Sequence, residues 1–404
     1  MSMVIVGAGE AGVAAALRLR EAGYTGALDV FGAEHHRPYE RPPLSKAVLL
    51  EQNDASLPLI AAAERFEALN ITYHPGVQVD QIDPARRSVR AGGVDFAYDA
   101  LLLATGAQPR RLSLPGHEHV HYLRRFEDAL ALRQNMQPGA RILIIGGGFI
   151  GLECAASARA LGCEVSLVEA APRILMRGVP EHLAQFIEAR HRAEGVHFYI
   201  GTALERIETS ADGLALILAD GTLIAADLIV AGIGAVPETA LAQAAGLRCQ
   251  NGIVVDAQLR TSDPAIFAAG DCCAFPHPLY DNRMIRLEAW RNAQDQGRFV
   301  ANAMLGEMAD FAAVPWFWSD QYNLHLQIAG LAEGATQAVT RDLGEDARMM
   351  FHLSAEGRLL SAAGVGPIGK IAKDIRLAEM MIAHRAAPAA AALADPAVKL
   401  KGLL

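Results

Sequence analysis

One local pattern occurs twice in this chain and limits its fold more than any other feature. "MVIVGAGEAGVAAALRLREAG" has an apolar strand at residues 3–6, a turn through Gly7-x-Gly9-x-x-Gly12, and a helix running to about Ala22. "RILIIGGGFIGLECAASARALG" repeats it at 141–162 with Gly146-x-Gly148-x-x-Gly151. The first glycine of such a motif allows a tight turn, the second lets backbone approach a pyrophosphate, and the third lets helix and strand pack closely. Free N–H groups and the positive helix end then face the phosphates. Two bare turns without a ligand are the competing reading, and the strand–turn–helix context of both copies argues against it.

Each copy is followed by a second strand ending in an acid. "EVSLVE" ends in Glu169, 18 residues past Gly151, where a carboxylate accepts hydrogen bonds from an adenosine ribose. "ALDVFGAE" ends in Glu34, 22 residues past Gly12. Two such sites imply two dinucleotides, and the usual pair is a tightly held flavin with an exchanging nicotinamide. "YDALLLATGA" (98–107) is a buried strand entering Thr105-Gly106, and "TSDPAIFAAGDCCAF" (261–275) is another ending at Gly270-Asp271, where a carboxylate suits the hydroxylated chain of a flavin cofactor. These segments flank the second glycine motif, which is therefore an insertion. The discontinuous first domain is expected to hold FAD and the inserted one the nicotinamide. Glu169 repels a 2′-phosphate and favours NADH, while Arg173 and Arg177 leave NADPH open.

The length of 404 residues predicts two or three domains, and 52% apolar residues suffice for their cores. Thirty-six basic against 45 acidic residues, a net charge of −9, argue against non-specific binding of nucleic acid or an anionic membrane. No secretory signal opens the sequence, and the most apolar window, 142–158, is broken by glycines and Glu153, so the expectation is a cytoplasmic protein without a membrane span. The five cysteines (154, 163, 249, 272 and 273) show no CxxC or metal-ligand spacing. They read as reduced thiols, with the vicinal Cys272–Cys273 as small packing residues, and no metal site is expected.

No cysteine precedes residue 154, so, unless the vicinal Cys272–Cys273 serves, a dithiol relay beside the flavin is excluded and electrons leave the flavin directly. In its place stands "RPYERPPLSK" (37–46), where Pro42 and Pro43 stiffen the chain ahead of Lys46. A fixed ammonium there would stabilise negative charge on reduced flavin and orient its ring; the alternative is a solvated lysine. Glu153, two residues past the second motif, either pairs with Lys46 across the flavin or is a first-turn glutamate favoured by the helix dipole.

Taken in order, "RPPLSK", "LLLATGAQPR", "GGGFIGLE", "AAGDC" and "PWFWSDQY" resemble the NAD(P)H-dependent ferredoxin reductases of bacterial oxygenase systems, over nearly the whole chain. The resemblance implies an α/β, glutathione-reductase-like fold. It has two Rossmann-type domains, an FAD domain at 1–110 and 237–312 and an NAD domain at 111–236, plus a C-terminal α+β interface domain at 313–404. Matched by position, FAD contacts fall on Gly7, Gly9, Ala11, Gly12, Arg41, Lys46, Val79, Thr105, Gly106, Arg124, Asp271 and Trp290. NAD contacts fall on Gly146, Gly148, Ile150, Gly151 and Glu169, with Glu153 near the nicotinamide. Many relatives place an acid directly after the glycine of "VFGAE"; here Ala33 stands there, and Glu34 is the substitute for the ribose.

The implied activity is NADH:ferredoxin oxidoreductase, passing electrons through FAD to a [2Fe–2S] ferredoxin that feeds a Rieske dioxygenase or cytochrome P450 of aromatic hydrocarbon catabolism, as monomer or homodimer. Lys46 and Glu153 tune the flavin in this reading. Trp318 and Arg298 are expected at the docking face, with Lys370, Lys373 and Arg376 on one helix face as a basic patch or an ordinary solvated surface. As a plain strand, Trp316-Phe317-Trp318 would bury two rings and expose one. The alternatives are another acceptor (rubredoxin, quinone, ascorbyl radical or oxygen) on the same fold, or an apoptosis-inducing-factor-like binding flavoprotein.

Overall fold

Each glycine motif follows the middle strand of a parallel sheet, Ser2–Val6 or Arg141–Ile145, and these two strands are almost wholly apolar and buried, as strands covered on both faces must be. A computed structural model of the chain describes residues 1–51, 56–210 and 213–404. The chain divides into two units: residues 1–40, 57–108 and 236–315 form the first, and 41–56, 109–235 and 316–404 the second.

In the first unit five parallel strands lie in the order Thr72–Pro75, Ala27–Gly32, Ser2–Val6, Ala100–Leu103, Ile266–Ala268. Met3, Ile5, Leu101, Leu102 and Leu103 are fully buried, each worth about 1.5–3 kcal/mol of transfer free energy. The chain order reverses between Ser2–Val6 and Ala100–Leu103, and ligands of open α/β sheets bind at such a switch point. The helices Glu10–Glu21 and Trp290–Met304 pack together at a seam of small residues: a Cβ on Gly297 would stand 2.3 Å from the Ala11 carbonyl oxygen. An antiparallel meander, Val79–Asp83, Ser88–Ala91 and Val94–Ala97, is inserted before the fourth strand.

The second unit repeats this plan. Its parallel strands run Val196–Ile200, Glu164–Glu169, Arg141–Ile145, Leu228–Ala231, Val120–Tyr122. A second meander, Leu204–Ser210, Gly213–Leu218 and Leu223–Ala226, again precedes the fourth strand. The same unit holds a five-stranded antiparallel sheet, Trp316–Gln321, Leu324–Gly330, Leu359–Gly366, Arg348–Leu353 and Gln337–Asp342. The helix Ile368–Ala383 covers this sheet, with Ile371 and Ile375 over Gly364.

Two details differ from the sequence reading. Residues 41–56, expected with the first glycine motif, group with the second unit, because their partners (Arg124, Glu153, Ser157) are distant in sequence. In the strand Trp316–Gln321, alternation turns Trp316 and Trp318 to one face, ring centroids 5.5 Å apart, and Phe317 to the other, edge-on to Phe149 at 4.6 Å. All three rings are half-buried, so the expected two-in, one-out division does not occur.

Candidate functional site: two glycine cradles and a buried ion pair

In the first unit Gly7 has φ +113°, and a Cβ there would meet the Ala104 carbonyl oxygen at 2.1 Å. A Cβ on Gly12 would meet the Gly7 carbonyl oxygen at 1.9 Å. These two glycines are demanded by the protein's own packing. Gly9 is different: its backbone is extended (φ −80°, ψ −170°), and nothing lies within 4 Å of an added Cβ. The space in front of Gly9, at the head of the helix Glu10–Glu21, is what a pyrophosphate requires, so the cradle fits a dinucleotide.

Two of the expected turns lie at this cradle, with a Cβ on Gly7 3.2 Å from the Thr105 nitrogen. A Cβ on Gly270 would stand 3.1 Å from that of Ala11, which puts the Gly270-Asp271 turn beside the motif. The Gly270 N–H donates to Gln296 Oε1 at 2.7 Å and Thr105 Oγ1 to the Glu238 carbonyl at 2.6 Å, fixing both turns. Gly106 takes φ +73°. Ala33 is exposed, whereas the half-buried Glu34 accepts a hydrogen bond from the Tyr39 hydroxyl. Val79 is buried at the start of its meander, and Trp290 is half-buried at the first turn of its helix. Glu10, passed over in the sequence, has its carboxyl pushed up by burial, with a hydrogen bond from Gln294 opposing. Arg298 is exposed on the helix Trp290–Met304 and lies 3.6 Å from Glu21.

The second cradle follows the same geometry. A Cβ on Gly151 would stand 2.0 Å from the Gly146 carbonyl oxygen, while one on Gly148 would have only the Gly232 carbonyl oxygen, at 3.6 Å. Glu169 accepts from the Gly147 N–H through Oε2 and from the Ala171 N–H through Oε1, both at 2.7 Å. That pins its carboxylate at the strand end beside the glycine turn. Arg173, one of the two cations that kept NADPH open, is committed to the carbonyls of Ile174, Leu175 and Val179. Ile150 is exposed in the helix's first turn.

Lys46 and Glu153 meet within the second unit. Lys46 Nζ lies 2.8 Å from Glu153 Oε2 and 3.2 Å from the Pro42 carbonyl, and Glu153 is only 4% exposed. The solvated-lysine alternative therefore falls. So does pairing across a flavin ring, since a 2.8 Å contact leaves no room between the groups. Three hydroxyls that sequence reasoning missed complete the arrangement. Ser45 Oγ donates to Glu153 Oε2 at 2.5 Å, Ser319 Oγ donates to Glu153 Oε1 at 2.6 Å, and Ser157 Oγ donates to the Ser45 carbonyl at 2.7 Å. The only sequence signal for Ser319 was a small polar residue in an aromatic strand. Arg41 Nη1 donates to the Arg124 carbonyl at 2.5 Å, tying the prolines' segment down at its other end.

The docking candidates are less concentrated than expected. Lys370 pairs with Asp346 at 2.5 Å and Arg376 with Glu379 at 2.7 Å, which neutralises two of the three cations of that helix face. Trp318 Nε1 donates to Asp320 at 3.1 Å.

None of the cysteines is bridged. Cys154, Cys163, Cys272 and Cys273 are buried. Burial pushes the Cys154 thiol up to about 12 and that of Cys273 well above its ordinary value, which suppresses thiolate chemistry. Among the described residues no cluster is suited to a metal ion, and no helix is long and apolar enough to cross a membrane.

Residues 1–297 match the pyridine nucleotide-disulphide oxidoreductase family and residues 316–404 the reductase C-terminal family. The ferredoxin–NAD(+) reductase component of the anthranilate 1,2-dioxygenase system of Burkholderia cepacia is 40% identical over 99% of this chain and 98% of its own. This chain belongs to the ferredoxin–NAD reductases of bacterial oxygenase systems. The rubredoxin–NAD(+) reductase of Pseudomonas putida is 42% identical over 82% of this chain and 86% of its own. The crystal structure of the covalent putidaredoxin reductase–putidaredoxin complex matches with a TM-score of 0.93 at 36% identity, covering 100% of this chain and 97% of the other. Membership in the family implies a flavin and a pyridine nucleotide, and the two cradles accommodate them.

Proposed function

We propose that this protein is an FAD-dependent reductase that passes electrons from NADH to a [2Fe–2S] ferredoxin serving a dioxygenase or cytochrome P450. The observation that carries the reading is the pairing of two dinucleotide cradles with a C-terminal reductase domain in a chain whose cysteines form no disulfide and, Cys249 apart, are buried. Bound FAD supplies the chemistry, accepting a hydride and releasing its two electrons one at a time.

The chain's residues bind and orient. Gly7, Gly9, Ala11 and Gly12 with Thr105, Gly106 and Asp271 hold the FAD; Glu34, Val79 and Trp290 border it, and Arg41 and Arg124 support it. Gly146, Gly148, Ile150 and Gly151 hold the nicotinamide dinucleotide. Glu169, with its lone pairs at the strand end, takes the ribose of NADH and repels the phosphate of NADPH. Lys46, aimed by Glu153, supplies the fixed positive charge that favours reduced flavin. Arg298 and Trp318 belong to the ferredoxin-docking surface.

The test is NADH-driven cytochrome c reduction by the purified yellow protein, with and without a [2Fe–2S] ferredoxin. Strong dependence on ferredoxin is expected. Rapid turnover without it, or a protein that takes up no FAD, would overturn the reading. The likeness to a rubredoxin reductase favours one further acceptor, and adding rubredoxin in place of ferredoxin measures it directly.

A further inference from the structure

The Lys46–Glu153 pair is the near end of a longer polar chain. Ser319 has one hydroxyl proton, which goes to Glu153 Oε1, so it must accept from Gln321 Nε2 at 3.0 Å. Gln321 Oε1 can only accept, so His191, 2.8 Å away, carries its proton on Nε2. His191 Nδ1 is then free to accept from the Tyr322 hydroxyl at 3.2 Å. Every donor therefore points the same way, from Tyr322 through His191, Gln321 and Ser319 to the carboxylate. Burial holds the His191 ring well below its ordinary titration, at about 4, so the ring is neutral and this single tautomer persists near pH 7. Four of the links, Glu153, His191, Ser319 and Gln321, are buried.

We propose that Ser319, Gln321 and His191 are positioning residues that hold the Glu153 carboxylate in one rotamer, and thereby fix where Lys46 points. The strand geometry makes this a coupling as well. Ser319 and Gln321 project from one face of the strand Trp316–Gln321, whose other face carries Trp316 and Trp318. Anything that shifts this strand shifts the donor to Glu153 Oε1. Aligned donors reinforce one another in a water-poor site, so removing a middle link weakens the last one. Ser45 supports the opposite carboxylate oxygen from the same segment as Lys46, so each oxygen of Glu153 answers to a different part of the chain. None of the three residues needs to touch flavin or nicotinamide to act in this way.

This inference rests on the reductase reading above, and the experiment separates the two. FAD-loaded wild type, Ser319→Ala, Ser319→Thr, Gln321→Met and the Ser319→Ala/Gln321→Met double variant are compared for rate of flavin reduction by NADH in anaerobic stopped flow. The flavin absorption spectrum and midpoint potential are measured in parallel. Losing one hydrogen bond to a charged group predicts a roughly 10-fold slower reduction in Ser319→Ala, with a lowered potential. Ser319→Thr, which keeps the hydroxyl, restores both. Gln321→Met slows reduction less, and adds nothing on the Ser319→Ala background, because its effect runs through that hydroxyl. Wild-type rate and potential in a folded Ser319→Ala variant, failure of Thr to restore them, or additive effects in the double variant would overturn the inference. A wild type that NADH does not reduce would overturn the reductase reading and this inference with it.

Discussion

Gly9→Ser separates a glycine kept for folding from one kept for a ligand. The backbone at Gly9 is extended, a conformation any residue adopts, and an added Cβ meets nothing within 4 Å. Gly9 also precedes the helix Glu10–Glu21 without a side-chain cap, where serine is a better residue than glycine by a few tenths of a kcal/mol. On the protein's own terms the substitution is neutral or slightly favourable. The apoprotein should therefore unfold within about 2 °C of wild type, since a change below about 0.5 kcal/mol moves the midpoint no further. Binding of FAD should suffer, because the new side chain occupies the space that a phosphate enters. Losing one backbone hydrogen bond to a charged oxygen costs about 1.5–3 kcal/mol, or roughly 10- to 150-fold in affinity. The assay is scanning calorimetry of apoprotein together with titration by the quenching of FAD fluorescence. Gly12→Ala is the contrasting control: its Cβ would sit 1.9 Å from the Gly7 carbonyl oxygen, so both stability and binding should fall. A Gly9→Ser variant that binds FAD as wild type does would refute the assignment of that space to the cofactor.

Lys46→Ala leaves Glu153, 4% exposed, without its cation, and should destabilise the holoprotein by about 2 kcal/mol or more in urea while slowing NADH reduction of the flavin; unchanged kinetics would remove Lys46 from the flavin's surroundings. Glu169→Ala should raise KM for NADH about tenfold and narrow the preference over NADPH, since the variant lacks both the ribose acceptor and the repelling charge; an unaltered KM ratio would count against that role. His191, buried and neutral, titrates near 4 in the folded state against an ordinary value of 6.5, so the unfolded chain binds more protons between those values. Its contribution is complete above pH 6.5 and is lost as pH falls toward 4, a change of about 3 kcal/mol that urea midpoints at pH 7, 5.5 and 4.5 should reveal and that His191→Gln should flatten.

What was legible in the sequence depended on how local the physical constraint was. The glycine motifs could be read because a positive φ or a Cβ collision excludes every other residue at Gly7 and Gly12, whatever the rest of the chain does. Glu169 was legible by its fixed distance from the motif, and Lys46 by the prolines that stiffen its loop. The ion pair's surroundings were not. Ser45, Ser319 and Gln321 gain their meaning only from a carboxylate more than 100 residues away, and a serine in a strand or turn has many ordinary reasons to be there. The Trp316-Phe317-Trp318 strand was misread for a related reason: alternation assigns faces correctly, but not which face meets the core when both are partly covered.

The two halves of the molecule show why the duplicate was visible only in part. Both place the strand leading into the glycine turn third in a parallel row, follow it with the same two neighbours on one side, and insert a three-stranded meander before the fourth strand. Yet residues 79–97 and 204–226, the two meanders, share no recognisable sequence. A meander asks only that alternate residues be apolar on its covered face, which many sequences satisfy. The cradle asks for atoms to be absent: no Cβ at the turn, none at the helix crossing, and none where a phosphate enters. Requirements for empty space can be met by one amino acid only, so two copies of a site can stay alike after the scaffold around them has diverged. The same argument explains why Gly9 and Gly148, which the protein alone does not need, are the positions that speak most directly for a ligand.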